Sequence, residues 1–308
     1  MAIKILQLKA HKRIVLKAIR KYGTGPEHNY QHYLYMGEKG CRPVFVHFGK
    51  HMGVLALRGR KGTWHTFDEV IAPAKIRQKI FIDFVNFAIG HDKAKKVVVE
   101  TRENLRKSVM KKAKNEFHFP RINYSLHWPL FKIKGFDENI PGKNWKKIRN
   151  LRNRLYRFHK VRIVSSRSLK KSQLKELVKR WVRKRALRDR AEIGKYIKLI
   201  DNNFKGCDYA RSILVDGKPA TISAGWRIPN SKKAYSAIGI LDYSADGLGE
   251  TAYIDELSYL KKMKFHEVNL GGSDAPMLFF KKKFRPHKTY KTVVYSIMPP
   301  KKKKTAKK

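Results

Sequence analysis

Val268-Asn269-Leu270-Gly271-Gly272-Ser273 reads as a buried strand running into a glycine turn. Pro276-Met277-Leu278-Phe279-Phe280-Lys281-Lys282-Lys283 reads as the helix that follows, and residues 290–297 as a last strand. Upstream lie a helix over residues 250–263, strands at 209–215, 220–227 and 234–241, and a helix over 174–188. The second half of the chain thus runs meander, helix, strand, helix, strand.

The first half repeats that order. Residues 3–19 read as a strand followed by a helix, closed by Tyr22-Gly23-Thr24-Gly25-Pro26. Strand-like stretches at 30–36, 44–48, 54–57 and 63–67 are separated by glycine-containing turns, as in an antiparallel meander. Pro73 opens a helix with Ile76, Ile80, Phe84, Phe87 and Ala88 at helical spacing. Residues 96–100 form a buried strand, 103–114 a helix, and two short strands follow near 121–125 and 130–134. The repeat lies in element order, not in residue identity.

Between the halves, residues 143–159 carry Trp145, Ile148, Leu151, Leu155 and Phe158 as an apolar stripe, with basic residues on the other faces and no acid. Pro141-Gly142 marks the boundary before it. The charge of the chain is its compositional anomaly: 71 Lys and Arg against 24 Asp and Glu, a net charge of +47. The tail over residues 299–308, lysine-rich and expected to be disordered, contributes only six of these charges. So large a single-sign field opposes compaction, and a polyanion relieves it. RNA or DNA is the expected partner through phosphate counterion release, and an anionic lipid surface is the alternative.

Hydrophobic residues make up 42% of the chain and aromatics 11%, as in a folded protein. Two cysteines, Cys41 and Cys207, exclude a disulfide framework and fit a reducing compartment. Residues 1–22 carry lysines through their apolar stretch rather than ahead of it, so they do not read as a secretory signal. No apolar run approaches the length of about 20 residues needed to cross a bilayer. The expectation is a cytoplasmic protein, with peripheral attachment to a membrane as the alternative.

Lys146-Lys-Ile-Arg-Asn-Leu-Arg-Asn-Arg-Leu-Tyr-Arg-Phe158 resembles the basic helix that precedes the catalytic domain in the phosphatidylglycerol lysyltransferase C-terminal family. Val268-Asn-Leu-Gly-Gly-Ser273 with Phe279-Phe-Lys-Lys-Lys-Phe-Arg-Pro286 resembles that family's strand and Phe-Lys-rich segment, a pattern shared by Fem-type aminoacyl transferases. The resemblance spans residues 143–298. It implies an α+β protein of two tandem GNAT-like acyltransferase domains: residues 1–140, a basic bridging helix over 141–160, and a catalytic domain over 161–298. It also implies transfer of an aminoacyl group from tRNA to an amine or hydroxyl, on a lipid headgroup, a peptide or another acceptor, with no tightly bound cofactor. The first domain, lacking a comparable glycine turn after Val97–Val99, is the degenerate partner. Two features depart from the pattern. There is no long membrane-spanning region, and Asp246-Gly-Leu-Gly-Glu250 is shorter and more acidic than the pyrophosphate loop of acetyl-CoA enzymes, which makes acyl-CoA the less favoured donor. A catalytically idle RNA-binding module on the same scaffold is the competing reading.

Within this frame Asn269, Gly271, Gly272 and Ser273 are candidate ligand contacts, since glycines allow close approach and free amides at a helix start hold anions. A tight turn capped by Ser273 is the plainer alternative. Lys281, Lys282, Lys283 and Arg285 are candidate phosphate contacts, with Phe279 or Phe280 facing the core. Lys146, Lys147, Arg149, Arg152, Arg154 and Arg157 form one candidate RNA stripe, and Arg180, Arg183 and Lys184 belong to a second basic helix. Acyl transfer needs a group that manages the nucleophile's proton and a donor for the oxyanion. The acids Asp242, Asp246, Glu250, Asp255 and Glu256 are the candidates, and at most one of the adjacent pair Asp255 and Glu256 can point into a site. Trp226 and Tyr253 are candidates to line the acceptor pocket or stack on the terminal adenine of tRNA, or else core aromatics. His47 and His51 lie in strand-and-turn sequence without a third ligand, so no metal site is expected.

Overall fold

Gly53-Val54-Leu55-Ala56-Leu57 offers solvent no polar side chain, and the fold buries it on both faces, as a central strand requires. Val54 and Ala56 pack with Trp64, Phe84 and Val97, whereas Leu55 and Leu57 pack with Val15, Ile19 and Phe45. The computed structural model describes residues 3–37, 40–67, 70–185 and 193–300. They divide into two compact units, residues 3–127 with 290–300, and residues 128–289.

The first unit contains β1 (Lys4–Gln7), α1 (Lys12–Tyr22), α2 (Tyr30–Met36), β2 (Cys41–His47), β3 (Gly53–Gly59), β4 (Thr63–Thr66), α3 (Arg77–Asn86), β5 (Lys96–Arg102) and α4 (Glu103–Ala113). β1 to β4 form an antiparallel meander and β5 lies parallel to β4. β6 (Tyr124–Lys132) and α5 (Lys146–Phe158) follow in the chain. The second unit continues with β7 (Val161–Ser165), α6 (Lys171–Arg183), α7 (Gly194–Asp201), β8 (Tyr209–Val215), β9 (Lys218–Pro219), β10 (Thr221–Arg227), β11 (Lys233–Leu241), α8 (Leu248–Lys262), β12 (Glu267–Asn269) and α9 (Ala275–Lys282). Its strand order is β6-β12-β11-β10-β8-β7, with β12 parallel to β11 and β9 on β8. Setting aside the two-residue β9, both units carry the same element order, β-α-α-β-β-β-α-β-α, in a mixed sheet.

The fold corrects three sequence expectations and adds two elements. Residues 30–36 are a helix, not a strand: Asn29 Oδ1 accepts hydrogen bonds from the amides of Gln31 and His32 at 2.9 and 3.0 Å, capping a turn that buries Tyr30 and Tyr33 at i, i+3 spacing. The two short strands near 121–134 are one, β6. The strand β7 and the helix α7 went unread. Finally, the last strand, β13 (Lys288–Ile297), does not complete the second half. It pairs antiparallel with β5, Val293 opposite Thr101 and Tyr295 opposite Val99, and buries Val293, Tyr295 and Ile297 in the first unit's core. Conversely, Phe131 of β6 lies opposite Val268 of β12. Each unit's sheet is therefore completed by a strand that follows the other unit's helices in sequence. The helix expected over 174–188 ends at Arg183, and residues 186–188 lie outside the described residues, as does the lysine-rich tail over 301–308.

Candidate active site

β11 pairs with β12 only over residues 233–235, opposite 267–269, and then runs on to Leu241. Beyond Tyr235 and Asn269 the two strands part, and the glycine turn lies at the fork. Gly271 has φ +83°, its amide donates to Asn269 Oδ1 at 2.9 Å, and an added Cβ would stand 3.3 Å from the Ser236 carbonyl oxygen. The turn positions Lys281, on the inward face of α9. Its Nζ donates to the carbonyl oxygen of Leu270, to that of Gly271 at 3.3 Å and to Ser273 Oγ at 2.9 Å. Ser273 in turn donates to the Gly271 carbonyl at 3.1 Å.

Lys281 is only 5% exposed. Burial pulls its ammonium down to about 8, against the opposing pull of Glu256 and Asp274. Glu256, 3% exposed on α8, accepts a hydrogen bond from the Tyr209 hydroxyl. Burial pushes its carboxyl up to about 7, although hydrogen bonds from Tyr209 and Ser236 favour the anion. Burial first and Glu256 second raise the Tyr209 hydroxyl well above its ordinary range, and Tyr253 is raised for the same two reasons. Lysine, glutamic acid, tyrosine and serine from β8, β11, α8 and α9 thus couple in one buried polar cluster at the fork. Two such groups with pKa values drawn toward neutrality mark a functional-site candidate.

The other sequence candidates are placed as follows. Glu250 pairs with Lys283 at 2.8 Å, with Lys283 also over the Phe280 ring. Asp242 accepts from the Ser244 amide at 2.8 Å, lies 3.5 Å from Arg180, and offers its carbonyl to Lys184. Arg154 meets Asp246 at 3.3 Å, both exposed. Asp255 holds Arg211 through two bonds of 2.6 Å, and Arg211 covers the Tyr259 ring. This pair borders a cavity of about 300 Å³ that also touches Tyr156, Arg152 and Lys262. Asp255 and Glu256 diverge, as adjacent helical residues must, and Glu256 is the one in the cluster. Asp274, not Ser273, caps α9, accepting from the Met277 amide at 3.0 Å. Trp226 is buried against Tyr235, and Tyr253 stacks on Phe284 and meets Phe280, while Phe279 is exposed.

Of the basic stripe, Arg149 donates to the carbonyls of Ile140 and Gly142, and Arg152 to that of Glu138. Lys146, Lys147, Arg157, Arg183, Lys282, Arg285 and Gly272 contribute no part to the cluster; all but Gly272 are exposed. Sequence reading missed Tyr209, Ser236 and Arg211, whose partners lie far away in the chain. Lys281 is a sequence candidate for its charge, and its spacing from Met277 and Leu278 puts the three on one face of α9.

Among the described residues no three His, Cys, Asp or Glu side chains gather as a metal site would need, and no helix is long and apolar enough to cross a membrane.

No family model matches the chain, and no curated protein matches it. Solved structures do. A domain described as the C-terminal part of a lysylphosphatidylglycerol synthetase from Agrobacterium fabrum is similar over 94% of this chain and 92% of its own, at 14% identity and a TM-score of 0.64. FemX is similar over 96% and 97%, at 10% identity and a TM-score of 0.60. A tandem GNAT protein from the clavulanic acid biosynthesis pathway is similar over 97% and 98%, at 8% identity and a TM-score of 0.54. The chain therefore has the mixed α/β fold of GNAT-type acyltransferases. Within that class it resembles the lysylphosphatidylglycerol synthetase C-terminal domain and FemX, as the motifs at 146–158, 268–273 and 279–286 imply. Identities this low carry the fold alone.

Proposed function

We propose that the chain is an aminoacyltransferase with tandem GNAT-like units, in which the second moves an aminoacyl group from tRNA to an amine or hydroxyl. The observation that carries this reading is Lys281, a buried ammonium at the β11–β12 fork with neutral oxygens and one buried glutamic acid around it. A cation is costly in such a place, and its hydrogen bonds to neutral oxygens do no more than offset that cost. The names of the structural neighbours, a lysylphosphatidylglycerol synthetase and FemX, support the donor class.

The acyl ester lies along β11 past Tyr235, where β12 no longer covers the strand. The acceptor nitrogen or oxygen attacks the carbonyl carbon, the negative charge moves to the carbonyl oxygen, and the Lys281 ammonium stabilises it, giving up its longest bond, to the Gly271 carbonyl at 3.3 Å, to donate there. Collapse releases the ribose hydroxyl of the tRNA, and the proton lost by the nucleophile goes to that oxygen. Glu256 holds the local charge balance and steadies Lys281. The net charge of +47 brings the RNA.

One observation favours the competing reading, RNA binding without transfer: Asp242, Asp246, Glu250 and Asp255 all face basic partners. Binding of purified protein to aminoacylated and deacylated tRNA at near-physiological salt separates the two. Preference for the charged form is the expected result. Equal affinity, falling steeply with salt, removes the transferase reading.

A further inference from the structure

The helix α5 was the first candidate for the RNA surface, yet three of its six cations are engaged, Arg149 and Arg152 on backbone carbonyls and Arg154 on Asp246. A different place in the second unit has the chemistry of an RNA contact. A recess of about 330 Å³ opens between the loop after β6, the start of the α5 segment and the end of α9. That volume lies at the small end of ligand pockets. Its floor is aromatic and apolar, with Phe131, Phe136 and Ile140 all buried. Trp145 stands at the wall, only partly buried, edge-to-face on Phe136 at 6.4 Å between ring centres.

The rim carries Lys132, Lys134 and Arg285, all exposed. Among the described residues none of the three makes an ion pair, although acids are near. Glu267, directly across the ladder from Lys132, is taken by Lys233 at 2.8 Å and His287 at 3.2 Å. Asp137 caps its own turn by accepting from the Asn139 amide at 2.9 Å. Gly135, between the two lysines' loop and Phe136, has open space where a side chain would be.

We propose that this recess holds one unpaired nucleotide of an RNA strand, its base against Trp145 and its flanking phosphates on Lys132, Lys134 and Arg285. An aromatic wall beside unclaimed cations suits a single-stranded nucleotide: the base supplies a π face, the backbone supplies charge, and no base-edge reading is needed. The inference rests on the RNA half of the function proposed above but not on the transfer step.

The test is fluorescence anisotropy of the full chain with a labelled single-stranded RNA oligomer and with the same oligomer carrying abasic residues, over a series of salt concentrations. Lys132→Gln with Lys134→Gln, at two exposed positions, should lower the slope of log K against log salt by about 1.4, two phosphate contacts' worth. Trp145→Ala should weaken the intact oligomer by about 5- to 150-fold, Trp145→Phe should restore most of that, and the abasic oligomer should bind wild type and Trp145→Ala alike. An unchanged salt slope in the lysine variant, or equal binding of intact and abasic oligomers by wild type, overturns the proposal. If these substitutions leave binding untouched while wild type transfers aminoacyl groups, the recess fails alone. Base-dependent binding without transfer leaves the recess standing and removes the transferase.

Discussion

Replacing Lys281 by methionine removes a buried cation while keeping a flexible, unbranched side chain in the α9 interface. With its ammonium brought from 10.5 to about 8, the lysine costs the folded state about 3 kcal/mol at pH 7. Opposing this are its three hydrogen bonds, to Leu270, Gly271 and Ser273, each contributing about 1 kcal/mol net. The two sums nearly cancel, so Lys281→Met should fold with a stability within about 2 kcal/mol of wild type. The pH dependence is the sharper readout. The folded pKa is depressed, so the unfolded chain binds more protons between pH 8 and 10.5 and stability rises across that window. Relative to the variant, wild type should therefore gain about 2 to 3 kcal/mol between pH 7 and 10. Urea denaturation at both pH values, compared through midpoints at constant m, measures it. Transfer should fall at least about 100-fold in the same variant, the loss usual for one oxyanion donor. A flat difference between pH 7 and 10 would refute the buried cation. A variant that loses more than about 4 kcal/mol yet still transfers would make Lys281 structural.

Glu256→Gln tests the partner: a carboxyl raised to about 7 gives stability that is complete below 4.5 and lost as pH rises through 7, so the variant should lack this decline in urea midpoints between pH 5 and 8. Gly247→Ala should destabilise by at least about 1 kcal/mol in a thermal melt, because the glycine has φ +78° and an added Cβ would collide with the Leu151 carbonyl of α5. Asp255→Asn, which breaks the two-bond pair with the partly buried Arg211, should cost about 1 to 3 kcal/mol in a urea titration. Asn29→Ala should cost about 1 kcal/mol by the same method, the worth of the cap that makes residues 30–36 a helix.

Element order was legible because periodicity and turn residues are local. The meander over 209–241, the helix α8, the glycine turn and α9 fall where their spacing puts them. Residues 30–36 misled because four aromatic or histidine side chains in Tyr-Gln-His-Tyr-Leu-Tyr-Met suggest a strand, while the deciding interaction is one asparagine outside the segment. The destination of β13 could not be read, since β5 and β12 each leave one edge open to an antiparallel strand and pairing across a chain is not a local property. The site followed the same division. Gly271 and Lys281 stand in one motif and Glu256 in an acidic cluster, so the sequence offers all three as candidates, whereas the pairing of Glu256 with Tyr209, 47 residues away, forms only in the folded core. Charge is the least discriminating signal where it is most abundant: Arg149, Arg152 and Arg180 hold backbone carbonyls, a role that composition does not separate from phosphate contact.

The central claim is tested most directly by following a radiolabelled aminoacyl group from tRNA, with wild type and Lys281→Met, onto phosphatidylglycerol vesicles and onto a peptide amine. The account predicts that label leaves tRNA for one of these acceptors with wild type and stays on tRNA with the variant. Label that moves equally with both proteins would contradict it.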